Sequence, residues 1–89
     1  MIVLLHRAAD KYLARLKSAD KDRFNAAFDA LEKEPSEGDI RPYEGNPGIW
    51  RLRVGGYRAL FKVEGDTILV THIEPRGQAY TKKTRTKRG

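Results

Sequence analysis

Residues 50–58, WRLRVGGYR, contain three arginines, two before a glycine pair and one after it. Arginine keeps its positive charge near neutrality, and its planar guanidinium group donates paired hydrogen bonds that match a phosphate or a carboxylate. The arginines at positions 51, 53 and 58 are therefore candidates for binding an anion, provided that the fold brings them to one surface.

The glycine pair predicts how these arginines are arranged. Gly55-Gly56 is a two-residue hairpin signal, because glycine accepts the positive φ angles that tight hairpin turns require. This turn pairs Val54 with Tyr57, Arg53 with Arg58, Leu52 with Ala59, Arg51 with Leu60 and Trp50 with Phe61. Side chains alternate between the two faces of a strand, so the arginines share one face of the hairpin.

The hairpin therefore has an apolar face and a basic face. The apolar face, which we expect to pack in the core, carries Trp50, Leu52, Val54, Tyr57, Ala59, Phe61 and Val63. The opposite face, called the outer face below, carries Arg51, Arg53, Arg58, Leu60 and Lys62.

Two arginines of the outer face are expected to repel each other. Arg53 and Arg58 are cross-strand neighbours, whose Cβ atoms should lie ~4.5–5.5 Å apart. Residues 50–63 contain no acidic side chain, so an external anion such as a phosphate would supply the missing charge. The alternative stays open that these arginines form an ordinary solvated face that protects a sheet edge.

Helix and strand patterns surround the hairpin. Residues 1–6 are a short apolar run that predicts a strand, and residues 7–18 have apolar side chains at helical spacing. A second helix is predicted from the capping candidates Ser18 and Asp20 to a stop at Pro35, with Phe24, Ala27, Phe28 and Leu31 as its apolar stripe. Residues 35–48 hold three prolines and three glycines, which predicts a loop.

After that loop the apolar pattern changes to a period of two, which predicts strands at residues 49–54, 57–63 and 67–73. The sequence therefore predicts an α+β fold in the order β-α-α-β-β-β. An N-terminal strand and a helical hairpin precede a three-stranded antiparallel meander, and the helices pack on one face of the sheet.

Length and composition favour one small domain with a basic tail. The chain has 89 residues and no cysteine, which fits a reducing compartment and excludes disulfides. The N-terminal apolar run is too short for a signal peptide or a membrane span. Residues 80–89 contain five of the 18 basic residues and no acidic residue. The rest of the chain contains 13 basic and 12 acidic residues, so its charge is nearly balanced. The tail is either a flexible solvated end or a contact for nucleic acid or an acidic protein.

The chain resembles the RelE/ParE superfamily of toxins from type II toxin–antitoxin pairs. The resemblance rests on an ordered set of residues: WRLRVGGYR, followed by an arginine shortly before a tyrosine in EPRGQAY. The resemblance covers residues 1–80, with residues 81–89 as a basic and flexible tail. It implies a RelE-like microbial ribonuclease fold and a cytoplasmic toxin. It also implies an acidic antitoxin, encoded by the adjacent gene, that would hold the toxin inactive in a hetero-oligomer, with no role for a membrane.

RelE-like members cut mRNA on the ribosome, so the resemblance implies an endoribonuclease that inhibits translation and needs no metal or other cofactor. In that chemistry the 2′-hydroxyl of the RNA attacks the adjacent phosphate. Residues matching the family's catalytic set are Arg51, Arg53, Arg58, Arg76 and Tyr80. Further basic residues expected to bind RNA are Lys62, Lys82, Lys83 and Arg85.

Proton transfer is where the chain departs from the family pattern. Arg51 and Arg53 stand where RelE has lysines, and arginine is a poor general base because its pKa is above ~12. Pro75 stands where several members have a histidine, which leaves His72 as a possible catalytic residue. A two-residue turn at Gly65-Asp66 would pair His72 with Ala59 on the core face, whereas a three-residue turn would pair it with Arg58 on the outer face.

Two other functions remain open from the sequence. A ParE-like member would inhibit DNA gyrase without ribonuclease chemistry, and a non-catalytic module would use the same arginines only to bind RNA or the ribosome. The combined presence of the five matching residues favours the ribonuclease. The sequence leaves open the codon preference, the antitoxin type and the identity of a general base.

Overall fold

A computed structural model describes residues 1–75, in which the chain forms two helices and one five-stranded sheet. The elements are β1 (Ile2–Leu5), α1 (Arg7–Ala14), α2 (Ser18–Leu31), β2 (Asp39–Pro42), β3 (Trp50–Val54), β4 (Tyr57–Glu64) and β5 (Thr67–Pro75). The strand order is β1-β5-β4-β3-β2, with β1 parallel to β5 and the other pairs antiparallel. The predicted α+β fold is confirmed. Neither described helix has the length and apolar character that a membrane span requires.

The two helices cover one face of the sheet through the predicted apolar stripe. Phe24 and Leu31 are fully buried, and Phe28 is nearly so. The Phe24 ring lies 5.7 Å from the ring of Tyr57 on β4, measured between centroids. The core of the domain therefore lies between the two helices and one face of β3, β4 and β5.

The start of α2 differs from the prediction. Its N-cap is Lys17, and no side chain caps the helix there. Ser18 is already the first helical residue, so its hydroxyl is placed too late in the chain to act as the cap. Asp20 instead lies in the first turn, where a negative charge interacts favourably with the helix dipole.

The register predicted from Gly55-Gly56 is confirmed in every pair from Val54–Tyr57 to Trp50–Phe61. Gly55 has a positive φ of 57°, as the turn requires. The apolar face is buried at Leu52, Val54, Ala59 and Phe61, but Trp50 and Val63 remain 39% and 45% exposed. The helices therefore leave one end of this face uncovered.

The predicted loop at residues 35–48 is wrong for Asp39–Pro42, which form the edge strand β2. The strand was not predicted because prolines and glycines, which are typical of loops, lie on both sides of it. Pro42 is tolerated because a proline at a sheet edge need not donate a ladder hydrogen bond. The register places Asp39 opposite Arg53 and Arg41 opposite Arg51. This missed strand therefore extends the outer face.

His72 reaches the outer face by a route that neither predicted turn anticipated. The β4–β5 turn has two residues and pairs Glu64 with Thr67, but the register shifts between Leu60 and Phe61. This bulge leaves Thr71 without a partner and pairs His72 with Leu60. Both predicted pairings of His72, with Ala59 and with Arg58, are therefore wrong.

Tyr57 links the hairpin to α2, and this contact predicts a pH effect on stability. Its hydroxyl donates a hydrogen bond to Asp20 Oδ2 at 3.1 Å, and burial followed by this bond raises the pKa of Tyr57 above 10.0. The contribution is complete below the ordinary tyrosine pKa and is lost as the pH rises through the raised pKa. We expect the free energy of unfolding, measured in urea between about pH 8 and pH 11, to fall less in Tyr57→Phe than in the wild type. An equal fall in both proteins would contradict this role.

Candidate functional site

The outer face collects basic side chains from three adjacent strands. Arg51 and Arg53 come from β3, Arg58 comes from β4, and the register makes Arg53 and Arg58 direct neighbours as predicted. The missed strand β2 adds Arg41, which is paired in register with Arg51. The side chain of Arg51 is only 11% exposed, against 44% for Arg53.

The predicted absence of a counter-charge on this face is wrong. Asp39 on β2 lies 3.6 Å from Arg53 and 4.0 Å from Arg51, measured between carboxylate oxygen and guanidinium nitrogen. Glu74 on β5 accepts a hydrogen bond from Arg58 Nε at 2.5 Å. The strands on either side of the hairpin supply these acids, so the sequence of the hairpin alone could not reveal them.

Arg58 is held on two sides. Glu74 binds its Nε, and its guanidinium carbon lies 5.9 Å from the centre of the Tyr43 ring, within the range of a cation–π contact. Its two terminal nitrogens make no hydrogen bond or ion pair with any residue among 1–75. Within residues 1–75, Arg58 is therefore oriented by Glu74 and Tyr43, and its terminal nitrogens have no partner among these residues that would compete with an anion.

Two grooves run side by side over these residues. The first, called the arginine groove below, has a volume of about 400 Å³ and is lined by Arg41, Pro42, Tyr43, Glu44, Arg51 and Arg58. The second, called the histidine groove, has a volume of about 420 Å³ and is lined by Tyr43, Asn46, Ile49, Leu60, Thr71, His72 and Glu74. Tyr43 borders both grooves. The loop between β2 and β3 therefore forms a wall of each.

The histidine groove places a proton-accepting side chain near the arginines. His72 is exposed, and its Nδ1 lies 3.1 Å from the hydroxyl oxygen of Thr71. Glu74, which holds Arg58, lines the same groove. An imidazole and a carboxylate are both able to accept a proton from a hydroxyl group near neutral pH.

The predicted site residues are only partly brought together. Arg51 and Arg58 line one groove, whereas Arg53 is on the same face but bound to Asp39 outside it. Lys62 is also on that face, but it pairs with Glu64 at 3.2 Å and lines neither groove. The predicted residues Arg76, Tyr80, Lys82, Lys83 and Arg85 lie outside the described residues.

Sequence reasoning missed Asp39, Arg41 and Tyr43. The first two belong to the unpredicted strand β2, whose alternation over four residues is too short to stand out among prolines and glycines. Tyr43 follows Pro42 in the segment RPYEGNPG. The sequence did contain a signal for Tyr43, because an aromatic residue in a turn-rich loop does not pack in the core and so indicates a functional role.

Comparison with protein-family models identifies a toxin family. Residues 3–80 match the model of a family described as "ParE toxin of type II toxin-antitoxin system, parDE". No significant relative is found among curated protein sequences.

Solved structures show the same fold. The archaeal RelE–RelB complex from Pyrococcus horikoshii OT3 is 32% identical, with a TM-score of 0.73, and the match covers 88% of this chain and 97% of that one. The isolated E. coli RelE toxin is 16% identical, with a TM-score of 0.70 and coverage of 93% and 94%. The chromosomal ParDE system from P. aeruginosa is 21% identical, with a TM-score of 0.60 and coverage of 84% and 95%; these last two show the fold alone.

The family match over most of the chain and the identity to the P. horikoshii structure agree with the residue pattern from which the resemblance was drawn. The chain therefore belongs to the ParE toxin family of type II toxin–antitoxin systems, within the RelE/ParE superfamily.

Proposed function

We propose that this toxin is a metal-independent endoribonuclease that cuts mRNA on the ribosome and so inhibits translation. The observation that carries the proposal is the convergence of Arg51 and Arg58 in the arginine groove, beside a second groove that holds His72 and Glu74. Such a surface offers fixed positive charge for a phosphate and, next to it, groups that accept protons. The 32% identity to the RelE toxin of P. horikoshii supports a RelE-like activity.

The reaction proposed is attack of an RNA 2′-hydroxyl on the adjacent phosphorus. A bond forms between the 2′ oxygen and phosphorus, the bond from phosphorus to the 5′ oxygen of the next nucleotide breaks, and a cyclic phosphate and a free 5′-hydroxyl result. The proton of the 2′-hydroxyl goes to a base, and the departing oxygen receives one. Negative charge grows on the phosphate oxygens in the transition state, where arginine donors stabilise it.

The roles proposed for individual residues follow from their positions. Arg58 stabilises the phosphate charge, since Glu74 orients it and its terminal nitrogens have no partner among residues 1–75. Arg51 binds the neighbouring backbone from within the same groove. His72 accepts the proton of the 2′-hydroxyl. Its imidazole lines the adjoining groove, and the arginines that occupy the positions of the family's lysines are poor bases. Arg76 and Tyr80 remain proposed catalytic residues on the resemblance alone.

The proposed partners are mRNA, the ribosome and an acidic antitoxin from an adjacent gene. Solved relatives are described as complexes of a RelE toxin with a RelB antitoxin. The outer face carries Arg41, Arg51, Arg53 and Arg58, and an acidic antitoxin segment would complement this charge. A neighbouring gene that encodes a short acidic protein would support this assignment.

The second candidate function is inhibition of DNA gyrase, and the matched family model favours it because that family is named for ParE toxins. Ribosome-dependent mRNA cleavage and inhibition of gyrase supercoiling, measured on the same preparation, separate the two. Cleavage without gyrase inhibition supports the ribonuclease. Gyrase inhibition without cleavage overturns it, and RNA binding without either activity indicates a non-catalytic module.

Asp39 provides a test of the outer face as a phosphate-binding surface. Its carboxylate lies within 4.0 Å of Arg51 and closer to Arg53. In Asp39→Asn we expect RNA to bind severalfold more tightly at low salt, because a negative charge beside the phosphate site is removed. We also expect the free energy of unfolding to fall by about 1 kcal/mol, since solvent-exposed ion pairs contribute little.

Filter binding of single-stranded RNA at two salt concentrations, with urea unfolding in parallel, measures both effects. Glu37→Gln is the matched control, because Glu37 pairs with Lys33 at 3.2 Å near the end of α2 and lines neither groove. Equal RNA affinities for Asp39→Asn and the control would contradict the proposed phosphate surface.

A further inference from the structure

A tyrosine that no catalytic role explains stands between the two grooves. Tyr43 lines the arginine groove, the histidine groove and a third groove over the loop that connects β2 to β3. It is half-buried and takes no part in the apolar core. Tyr43 therefore lies where the three grooves meet, with the Arg58 guanidinium over its ring.

The loop holds Tyr43 firmly in place. Its backbone N–H donates to the carbonyl of Ile49 at 2.9 Å, and its own carbonyl accepts from the N–H of Asn46 at 3.1 Å. Gly45 and Gly48 adopt positive φ angles of 80° and 83°, which make this tight turn possible. The backbone that carries the ring is thus held in a closed turn, so little backbone freedom is lost when a ligand binds.

The surroundings of the ring combine an aromatic surface with phosphate donors. The Arg58 guanidinium lies 5.9 Å from the ring centre, and Arg41 and Arg51 line the same groove. Proteins bind single-stranded RNA with this combination, in which bases stack on aromatic rings and the backbone follows basic side chains. The arginine groove, at about 400 Å³, is of a size that suits one nucleotide.

We propose that Tyr43 is a binding residue that stacks on one unpaired RNA base next to the phosphate held by Arg51 and Arg58. The proposal rests on the function proposed above and assigns part of its substrate binding. It places the base over the loop wall and its phosphate in the arginine groove. The ring thereby fixes which phosphate lies beside Arg58, and it recognises single-stranded rather than paired RNA.

The test uses a short labelled RNA whose 2′-hydroxyls are methylated, so that binding is measured without cleavage. We expect Tyr43→Leu to weaken binding about tenfold, in line with the loss of one stacked base, and Tyr43→Phe to bind about as well as wild type. The same RNA lacking one base is the second arm. At the position that contacts Tyr43, removal of the base should weaken binding to wild type but leave binding to Tyr43→Leu unchanged.

Equal binding by Tyr43→Leu and wild type would overturn the role of Tyr43, as would an equal loss for both proteins on base removal. If Tyr43→Leu does not fold, the test uses wild type alone with a series of RNAs, each lacking the base at a different position. Equal affinity for all of these RNAs overturns the proposal. Base-dependent binding through Tyr43 without any mRNA cleavage would refute the ribonuclease but keep the stacking site. Cleavage that is unchanged in rate and KM by Tyr43→Leu would refute the stacking site but keep the ribonuclease.

Discussion

Replacing Arg58 by alanine should slow ribosome-dependent mRNA cleavage by about 10²–10³-fold, the loss typical for removal of one donor that stabilises transition-state charge. Glu74 orients Arg58 through its Nε, and the terminal nitrogens of Arg58 have no partner in the described part of the chain, residues 1–75. Since its side chain is 29% exposed and lies on the outer face, the fold should tolerate the change. Single-turnover cleavage of a defined mRNA on purified ribosomes measures the rate.

Two comparisons decide whether Arg58 acts locally or only adds charge. Lys62→Ala removes a positive charge from the same face, but Lys62 pairs with Glu64 and lines neither groove, so a much smaller loss is expected. Lys33→Ala removes a charge near the end of α2 and should leave the rate unchanged. Equal losses in Arg58→Ala and Lys62→Ala would show that Arg58 contributes only general charge.

Replacing Phe24 by alanine should lower the free energy of unfolding by about 3–5 kcal/mol, as for other buried phenylalanines. Phe24 is fully buried and contacts the rings of Phe28 and Tyr57, which join α2 to the sheet. A small domain has a total stability of about 5–15 kcal/mol, so this single change removes a large part of it. Urea unfolding followed by circular dichroism measures the effect.

The control for this substitution is Ile2→Ala. Ile2 is also a large apolar residue, but it is 58% exposed on β1, so its truncation should cost far less. A comparable loss of stability in the two variants would contradict the packing of α2 as the main support of the hairpin. Because that packing supports the strands that carry Arg51 and Arg58, loss of folding in Phe24→Ala should also abolish RNA binding.

The part of the site that follows from local rules was predictable. Gly55-Gly56 determines the hairpin register, and the register alone places Arg51, Arg53 and Arg58 on one face. A two-residue glycine turn leaves little choice of pairing, so the prediction was confirmed pair by pair.

The part that depends on contacts between distant segments was not predictable. Pairing of Glu74 with a nearby arginine was among the roles that the sequence suggested, but the counter-charge Asp39 comes from the unpredicted strand β2, and its pairing depends on how the whole sheet assembles. The face of His72 depends on a one-residue bulge at Thr71, which reverses the side of every residue beyond it. No local pattern around these residues specifies such a shift.

The predicted lack of neutralising charge on the outer face was also wrong, and the reason is physical. An excess of arginines within one hairpin indicated an uncompensated charge, but the acids that pair with Arg53 and Arg58 lie on the neighbouring strands β2 and β5. The observed site is therefore a set of oriented arginines with partial neutralisation. In the proposed ribonuclease, this orientation of Arg58 by Glu74 would lower the cost of positioning its guanidinium at the phosphate.

The most direct measurement is to incubate the purified toxin with ribosomes that are translating a defined mRNA and to map the new 5′ ends. We expect cuts within the reading frame that require the ribosome and that Arg58→Ala slows by about 10²–10³-fold. A gyrase supercoiling assay on the same preparation should show no inhibition. Absence of ribosome-dependent cuts together with inhibition of gyrase would contradict the proposed ribonuclease.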